Sequence, residues 1–192
     1  MILASNSKRR QEILKDMGFN FKVITADIEE VSDKKDISER ILDIAEKKLD
    51  KIAKDNINNF VLAADTVVAL DGEVFGKPKD REEAEKFLKL LSGKTHKVIT
   101  AYVFKNISKN IVIKDVVISK VKFYDLDKET INWYLDTVEP FDKAGGYGIQ
   151  GLGRALVEKI EGDYFAIMGF PISNFLKNLR KIGYKISQID RI

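Results

Sequence analysis

The chain has 192 residues, 44% of them hydrophobic and 33% charged, with Lys+Arg 33 against Asp+Glu 30 and a net charge of +3. That length and apolar content suit one domain with a sizeable core, and the near-neutral balance argues against a general polyanion binder such as a nucleic-acid module. The absence of cysteine excludes disulfides and thiolate metal sites, and the single histidine, His96, excludes a multi-histidine zinc site, so a metal would rest mainly on oxygen ligands, which favours Mg²⁺ or Mn²⁺.

The opening Met1-Ile2-Leu3-Ala4-Ser5 carries no basic leader, and no apolar run approaches the roughly 20 residues that span a bilayer, so the chain reads as soluble and cytoplasmic with no membrane partner. Met1–Ala4 is a short apolar strand, and Ser5 to Ser7 turn the chain. Lys8 to Met17 is predicted helical, with Ile13, Leu14 and Met17 on one face and Gly18 as the stop. Phe21–Thr25 is a second strand. Ile37 to about Lys54 is the clearest helix, striped by Ile37, Ile41, Ile44, Ala45, Leu49 and Ile52. Phe60–Leu70 is an apolar strand interrupted by Asp65 and Thr66, and Asp71-Gly72 turns it into Glu73–Phe75. Asp80 with Glu83 resembles a capping box for a helix burying Ala84, Phe87, Leu88 and Leu91, ended by Gly93. Thr95–Lys105 and Ile111–Tyr124 are long strands around a polar turn at Asn106–Asn110. Asp127 to about Val138 is helical with Ile131, Tyr134, Leu135 and Val138 facing inward, and Ser173 to Lys181 is the last helix, followed by Gly183. Helices and strands that alternate in this way imply an α/β fold.

Four segments do not fit a purely structural reading. Ser5-Asn6-Ser7-Lys8-Arg9-Arg10 places two hydroxyls and three cations at a helix N-terminus, where acids are normally preferred. Phosphate is the anion that would satisfy it; a serine cap followed by solvated basic residues is the alternative. Asp65 lies inside the apolar Ala63-Ala64-Asp65-Thr66-Val67-Val68, where an acid is expensive unless paired, metal-bound or catalytic. Lys77, in Gly76-Lys77-Pro78, could meet a phosphate or simply be an exposed loop lysine. Asp142 to Gly153 holds five glycines in nine residues, yet Tyr147, Ile149 and Gln150 are poor linker residues, so a binding loop is the better reading. His96 at a strand start reads as a structural hydrogen-bonder, and Glu29-Glu30 as solvated acids.

Taken together, these segments resemble the Maf family. The matching pieces are Leu3-Ala4-Ser5-Asn6-Ser7-Lys8-Arg9-Arg10-Gln11-Glu12, then Ala64-Asp65-Thr66-Val67-Val68, Gly76-Lys77-Pro78 and Leu91 to Thr100. Asp142 to Gly151, Ile160-Glu161-Gly162-Asp163-Tyr164 and Gly169-Phe170-Pro171 complete the series, in order from residue 1 to about 182. Asn6 and Lys8 stand where the family often has Gly and Pro, and Phe170 where it often has Leu; these departures touch local turn geometry and remove no charged site residue.

The resemblance implies a single domain over 1–192 with an ITPase-like mixed sheet, flanking helices and two lobes around a deep cleft, often as a homodimer. It implies hydrolysis of a nucleoside triphosphate to the monophosphate and pyrophosphate with a divalent metal, Mg²⁺ or Mn²⁺, and no nucleic-acid partner. By position, Asp65 matches the family's proton acceptor, and Ser5, Arg10 and Lys77 match phosphate-binding residues. Glu30 matches an acid that helps with metal or water, and Glu30 and Asp65 are the expected metal ligands. Arg9, Thr66 and Gln150 match positions that separate substrate subfamilies. Their combination looks like the branch acting on dTTP and UTP rather than on N7-methylated GTP. The family's association with septum formation leaves a second reading, a nucleotide-binding regulatory protein linked to cell division with little hydrolysis.

Overall fold

The computed structural model describes residues 1–137 and 139–192, for Arg191 the backbone only. The inward position expected of Val138 lies outside the described residues. The elements in chain order are β1 (Ile2–Leu3), α1 (Lys8–Asp16), β2 (Lys22–Val23), α2 (Ile37–Ala53), β3 (Val61–Leu70), β4 (Glu73–Phe75) and α3 (Arg81–Leu91). They continue with β5 (Thr95–Asn106), β6 (Ile111–Phe123), α4 (Lys128–Leu135), β7 (Val157–Glu161), α5 (Tyr164–Met168) and α6 (Ile172–Lys181). No described helix is long and apolar enough to cross a membrane.

The strands form one seven-stranded sheet in the order β2-β1-β3-β5-β6-β7, with β4 paired to β3. β1 runs parallel to β2 and β3, while β3–β4 and β6–β7 are antiparallel, so the sheet is mixed and flanked by helices as the family resemblance implies. β1 and β2 are shorter than expected. β2 is an edge strand with both residues exposed, and its ladder to β1 is two pairs long.

The chain divides into two compact units. The first comprises Met1–Asp65, Thr100–Val117 and Gly169–Ile192. Here Ala45, Leu49 and Ile52 of α2 pack with Ile2, Ala4, Val61, Ala63 and Val103. Tyr102 and Phe104, which alternate with Val103 along β5, meet Phe175 of α6 edge-on. Because successive strand side chains point to opposite faces, α2 and α6 cover opposite faces of the sheet in this unit. Asp36 caps α2, its Oδ1 accepting from Glu39 N at 3.0 Å.

The second unit comprises Thr66–Ile99 and Ile118–Met168. Its core joins Val68, Phe75, Ala84, Leu88, Leu91, Phe123, Ile131, Tyr134, Leu135 and Tyr147. Asp71 and Gly72 both take positive φ, 52° and 87°, as the tight turn between β3 and β4 requires. Asp80 accepts from Glu83 N at 2.8 Å, while the Glu83 carboxylate reaches back one residue further than in a regular capping box, to Lys79 N at 2.7 Å. The glycine-rich stretch is not loose. It folds into short 3-10 turns at Glu139–Asp142, Ala144–Gly146 and Gly151–Leu156.

Candidate functional site

In the first unit the chain leaves β1 and enters α1 through a set of nested hydrogen bonds. Ser7 caps the helix, its Oγ accepting from Arg10 N at 3.4 Å. Ser5 is 9% exposed. Its Oγ accepts from Ser7 N at 3.3 Å and from Arg10 Nη1 at 3.0 Å. Arg10 Nε donates to Gly169 O at 2.8 Å, ahead of α6. Burial pulls the Arg10 pKa below its ordinary value, opposed by the Asp65 carboxylate; Arg9 lowers it further and Glu30 opposes again. A guanidinium stays charged under such a shift. Ser5, Arg9, Glu30 and Asp65 therefore each act on Arg10, Ser5 by a direct hydrogen bond and the others electrostatically.

Asp65 stands on β3 and is the last residue of the first unit. Its Oδ1 accepts from Lys48 Nζ at 2.8 Å, and the same ammonium reaches Glu30 Oε1 at 2.8 Å. Glu30 comes from the connection ahead of α2 and Lys48 from α2 itself. The Asp65 and Lys48 side chains are 13% and 12% exposed, whereas Glu30 is 58% exposed. The acid expected to be costly inside an apolar strand is thus paired, and the acids at Glu30 and Asp65 converge on one cation position. Lys48 was not among the residues singled out in the sequence. Its signal was helical phase: position 48 falls in the same stripe as Ile41, Ile44, Ala45, Leu49 and Ile52, where a lysine has no solvent to explain it.

Two carboxylate oxygens that converge on one cation position, in a chain without cysteine, fit a hard divalent ion of the kind that takes one or two protein carboxylates and completes its shell with phosphate and water. Among the described residues no group of three or more His, Cys, Asp or Glu forms a metal cage, so phosphate oxygens would have to contribute.

The second unit carries Thr66, Lys77 and Gln150. Thr66 follows Asp65 on β3 and is part-buried. Lys77 is exposed on the loop after β4, beside buried Pro78. That loop meets the glycine-rich segment through Gly145 N, which donates to Gly76 O at 2.9 Å. Gly145 has φ 71°, and an added Cβ would come within 2.8 Å of the Val68 side chain, so close approach and backbone conformation both demand glycine there. Gln150 is part-buried between two of the short turns.

His96 is 1% exposed and belongs to the core of this unit. Its Nε2 lies 2.7 Å from the Tyr147 hydroxyl. Burial raises the Tyr147 pKa, so the hydroxyl keeps its proton. The other ring nitrogen, Nδ1, has no partner among the described residues. Burial drives the His96 pKa down to about 4, and the ring is neutral at physiological pH. Its role is to tie β5 to the glycine-rich segment. Asp163 is also structural: its Oδ1 accepts from Phe165 N at 2.8 Å and Ala166 N at 3.1 Å, capping α5.

A protein of Fusobacterium nucleatum subsp. nucleatum named dTTP/UTP pyrophosphatase is 80% identical over 192 residues, 100% of each chain. Proteins of the same name from Thermosipho africanus and Pyrococcus furiosus are 51% and 47% identical, covering 90% and 98% of this chain and 88% and 98% of their own. Among solved structures, the Staphylococcus aureus Ham1 protein is similar at 19% identity and TM-score 0.44, over 65% of this chain and 71% of that one. The family described as Maf-like protein matches residues 1–182, and the chain belongs to it.

Proposed function

We propose that this chain hydrolyses nucleoside triphosphates, chiefly dTTP and UTP, to the monophosphate and pyrophosphate. Membership of the Maf family supports the reaction class, and the relatives named dTTP/UTP pyrophosphatase, 80% and 47% identical over nearly the whole chain, support the base preference. The observation that carries the reading is the Glu30–Lys48–Asp65 arrangement, two carboxylates on one cation with Arg10 and Ser5 in the same unit. A site for a metal–triphosphate needs such a combination of acids for the ion and cations for the phosphates.

In this proposal Glu30 and Asp65 hold a divalent ion, Mg²⁺ or Mn²⁺, which when bound supplies charge neutralisation to the phosphates. Asp65 orients a water and takes its proton as the water oxygen attacks the α-phosphorus. The bond from that phosphorus to the bridging oxygen breaks, and pyrophosphate leaves with the electron pair. Arg10 and Ser5, already fixed to each other and to Gly169 O, stabilise charge on the phosphate oxygens without reorganising. Lys48 keeps the Asp65 carboxylate in one orientation through a charge-assisted hydrogen bond. Lys77 is assigned to the phosphates, and Arg9, Thr66 and Gln150 to substrate selection, Gln150 pairing with a pyrimidine edge through its amide donor and acceptor. The reading is of a cytoplasmic enzyme acting on free nucleotides, without nucleic acid or membrane.

The test is Asp65→Asn, which keeps shape and removes the base. Turnover, read as pyrophosphate release from UTP, should fall by about two to four orders of magnitude. Near-normal turnover would remove Asp65 from this role.

A further inference from the structure

Two residues outside the assigned site hold the main chain on both sides of Gln150. Glu139 Oε1 accepts from Leu152 N at 3.0 Å, and Oε2 accepts from Gly153 N at 3.2 Å. The Tyr134 hydroxyl accepts from Gly148 N at 3.1 Å and donates to Glu139 Oε2 at 3.4 Å. One carboxylate and one phenol therefore grip Gly148 before Gln150 and Leu152 and Gly153 after it.

The grip is close. An added Cβ on Gly151, whose φ is 65°, would collide with the Glu139 carboxylate, and one on Gly153 would come within 2.7 Å of the Tyr134 hydroxyl. The clamp is itself held in place. Glu139 N donates to Thr137 Oγ1 at 3.3 Å, Glu139 O accepts from Lys143 Nζ at 2.7 Å, and the Tyr134 side chain is fully buried in the core beside Leu135 and Ile131. Burial raises the Tyr134 pKa, so its hydroxyl remains a donor as well as an acceptor. Two successive amides on one carboxylate form the kind of charge-assisted pair that fixes geometry rather than merely filling valence.

We propose that Glu139 and Tyr134 are positioning residues for base selection, fixing the backbone from which Gln150 presents its amide. The proposal rests on the assignment of Gln150 to the pyrimidine edge. A residue whose side-chain amide must discriminate donors from acceptors gains from a backbone that cannot drift, because misplacement of a contact costs discrimination before it costs folding.

The experiment compares Glu139→Gln, which turns one acceptor oxygen into an amide nitrogen facing an N–H, and the milder Tyr134→Phe, which keeps volume and removes the hydroxyl. Steady-state kinetics with UTP and CTP are measured in the wild-type and Gln150→Ala backgrounds. In the wild-type background each change should lower kcat/KM for UTP by about tenfold, mainly through KM, and shrink the preference for UTP over CTP. In the Gln150→Ala background the same change should cost no more than about twofold, since the residue through which it acts is gone. An equal loss in both backgrounds, or no loss in either, overturns the proposal. Amide exchange supplies an arm independent of activity. The Leu152 and Gly153 amides should exchange faster in Glu139→Gln while Ala84 and Leu88 do not change. Unchanged exchange at Leu152 and Gly153 overturns the clamp even where no nucleotide is hydrolysed, whereas a wild-type chain that releases no pyrophosphate overturns the proposed function instead.

Discussion

Replacing Lys48 by methionine tests the paired-carboxylate arrangement directly. Methionine keeps an unbranched apolar stem in the α2 stripe and removes the charge. The Glu30 leg of the pair is more than half exposed, and an ion pair of that kind contributes about 0–1 kcal/mol. The Asp65 leg is different, because both side chains are only 12–13% exposed. Breaking a fully buried pair costs about 3–5 kcal/mol, and the remaining solvent contact reduces that to about 2 kcal/mol for the whole substitution. For a chain of this size the loss corresponds to a fall in Tm of about 4–8 °C. A divalent cation placed on the same two carboxylates offsets the loss. Thermal unfolding with and without millimolar Mn²⁺ should therefore show Lys48→Met well below the wild type in EDTA and a larger Mn²⁺-induced rise for the variant than for the wild type. A variant as stable as the wild type in EDTA, or one with no greater response to Mn²⁺, would refute the reasoning.

His96 makes the fold sensitive to acid. Its folded pKa is about 4 against an ordinary 6.5, so the unfolded chain binds more protons between those values, and the stabilisation is full above about pH 6.5 and lost as pH falls toward 4. From pH 7.5 to 5 the wild type should lose about 2 kcal/mol more than His96→Gln in chemical denaturation, and parallel losses would show that His96 is not the buried neutral group. Gly151→Ala places a Cβ at φ 65° against the Glu139 carboxylate and should cost about 1–3 kcal/mol in the same assay; an unchanged midpoint would mean that the turn yields without strain.

The longer elements of this protein are legible because each has a periodic apolar stripe and a cap. α2 shows Ile41, Ile44, Ala45, Leu49 and Ile52 at helical spacing behind Asp36, and α3 shows Ala84, Leu88 and Leu91 behind Asp80. β7 and α5 lack that signal. Val157–Glu161 has no fully buried residue; Val157 and Ile160 only lean on the core, and its charges meet those of its neighbour across the ladder, as in Lys122–Glu158 and Lys120–Glu161. α5 is five residues long and depends on the Asp163 cap.

The site divides along the same line. Ser5, Arg10, Asp65 and Gln150 stand out because each breaks its local pattern: cations in a first helical turn, an acid in an apolar strand, an amide among glycines. Glu139 does not: an acid beside Pro140 is ordinary in sequence and gains meaning from Leu152 and Gly153, many residues away. Lys48 breaks its pattern only through its phase in the α2 stripe, and its partner Asp65 lies on another element. Glu30 lies between the two cases: its neighbours suggest a solvated acid, the family resemblance alone sets it apart from Glu29 in the sequence, and in the structure it shares a cation with Asp65.

The central claim is tested most directly by pyrophosphate release from dTTP, UTP, CTP, dCTP, ATP, GTP and N7-methyl-GTP, each with Mg²⁺ or Mn²⁺ and with EDTA. Metal-dependent release chiefly from dTTP and UTP is the predicted result. Release chiefly from another nucleotide would contradict the base preference assigned to Arg9, Thr66 and Gln150, and no release from any of them would contradict the proposed hydrolysis itself.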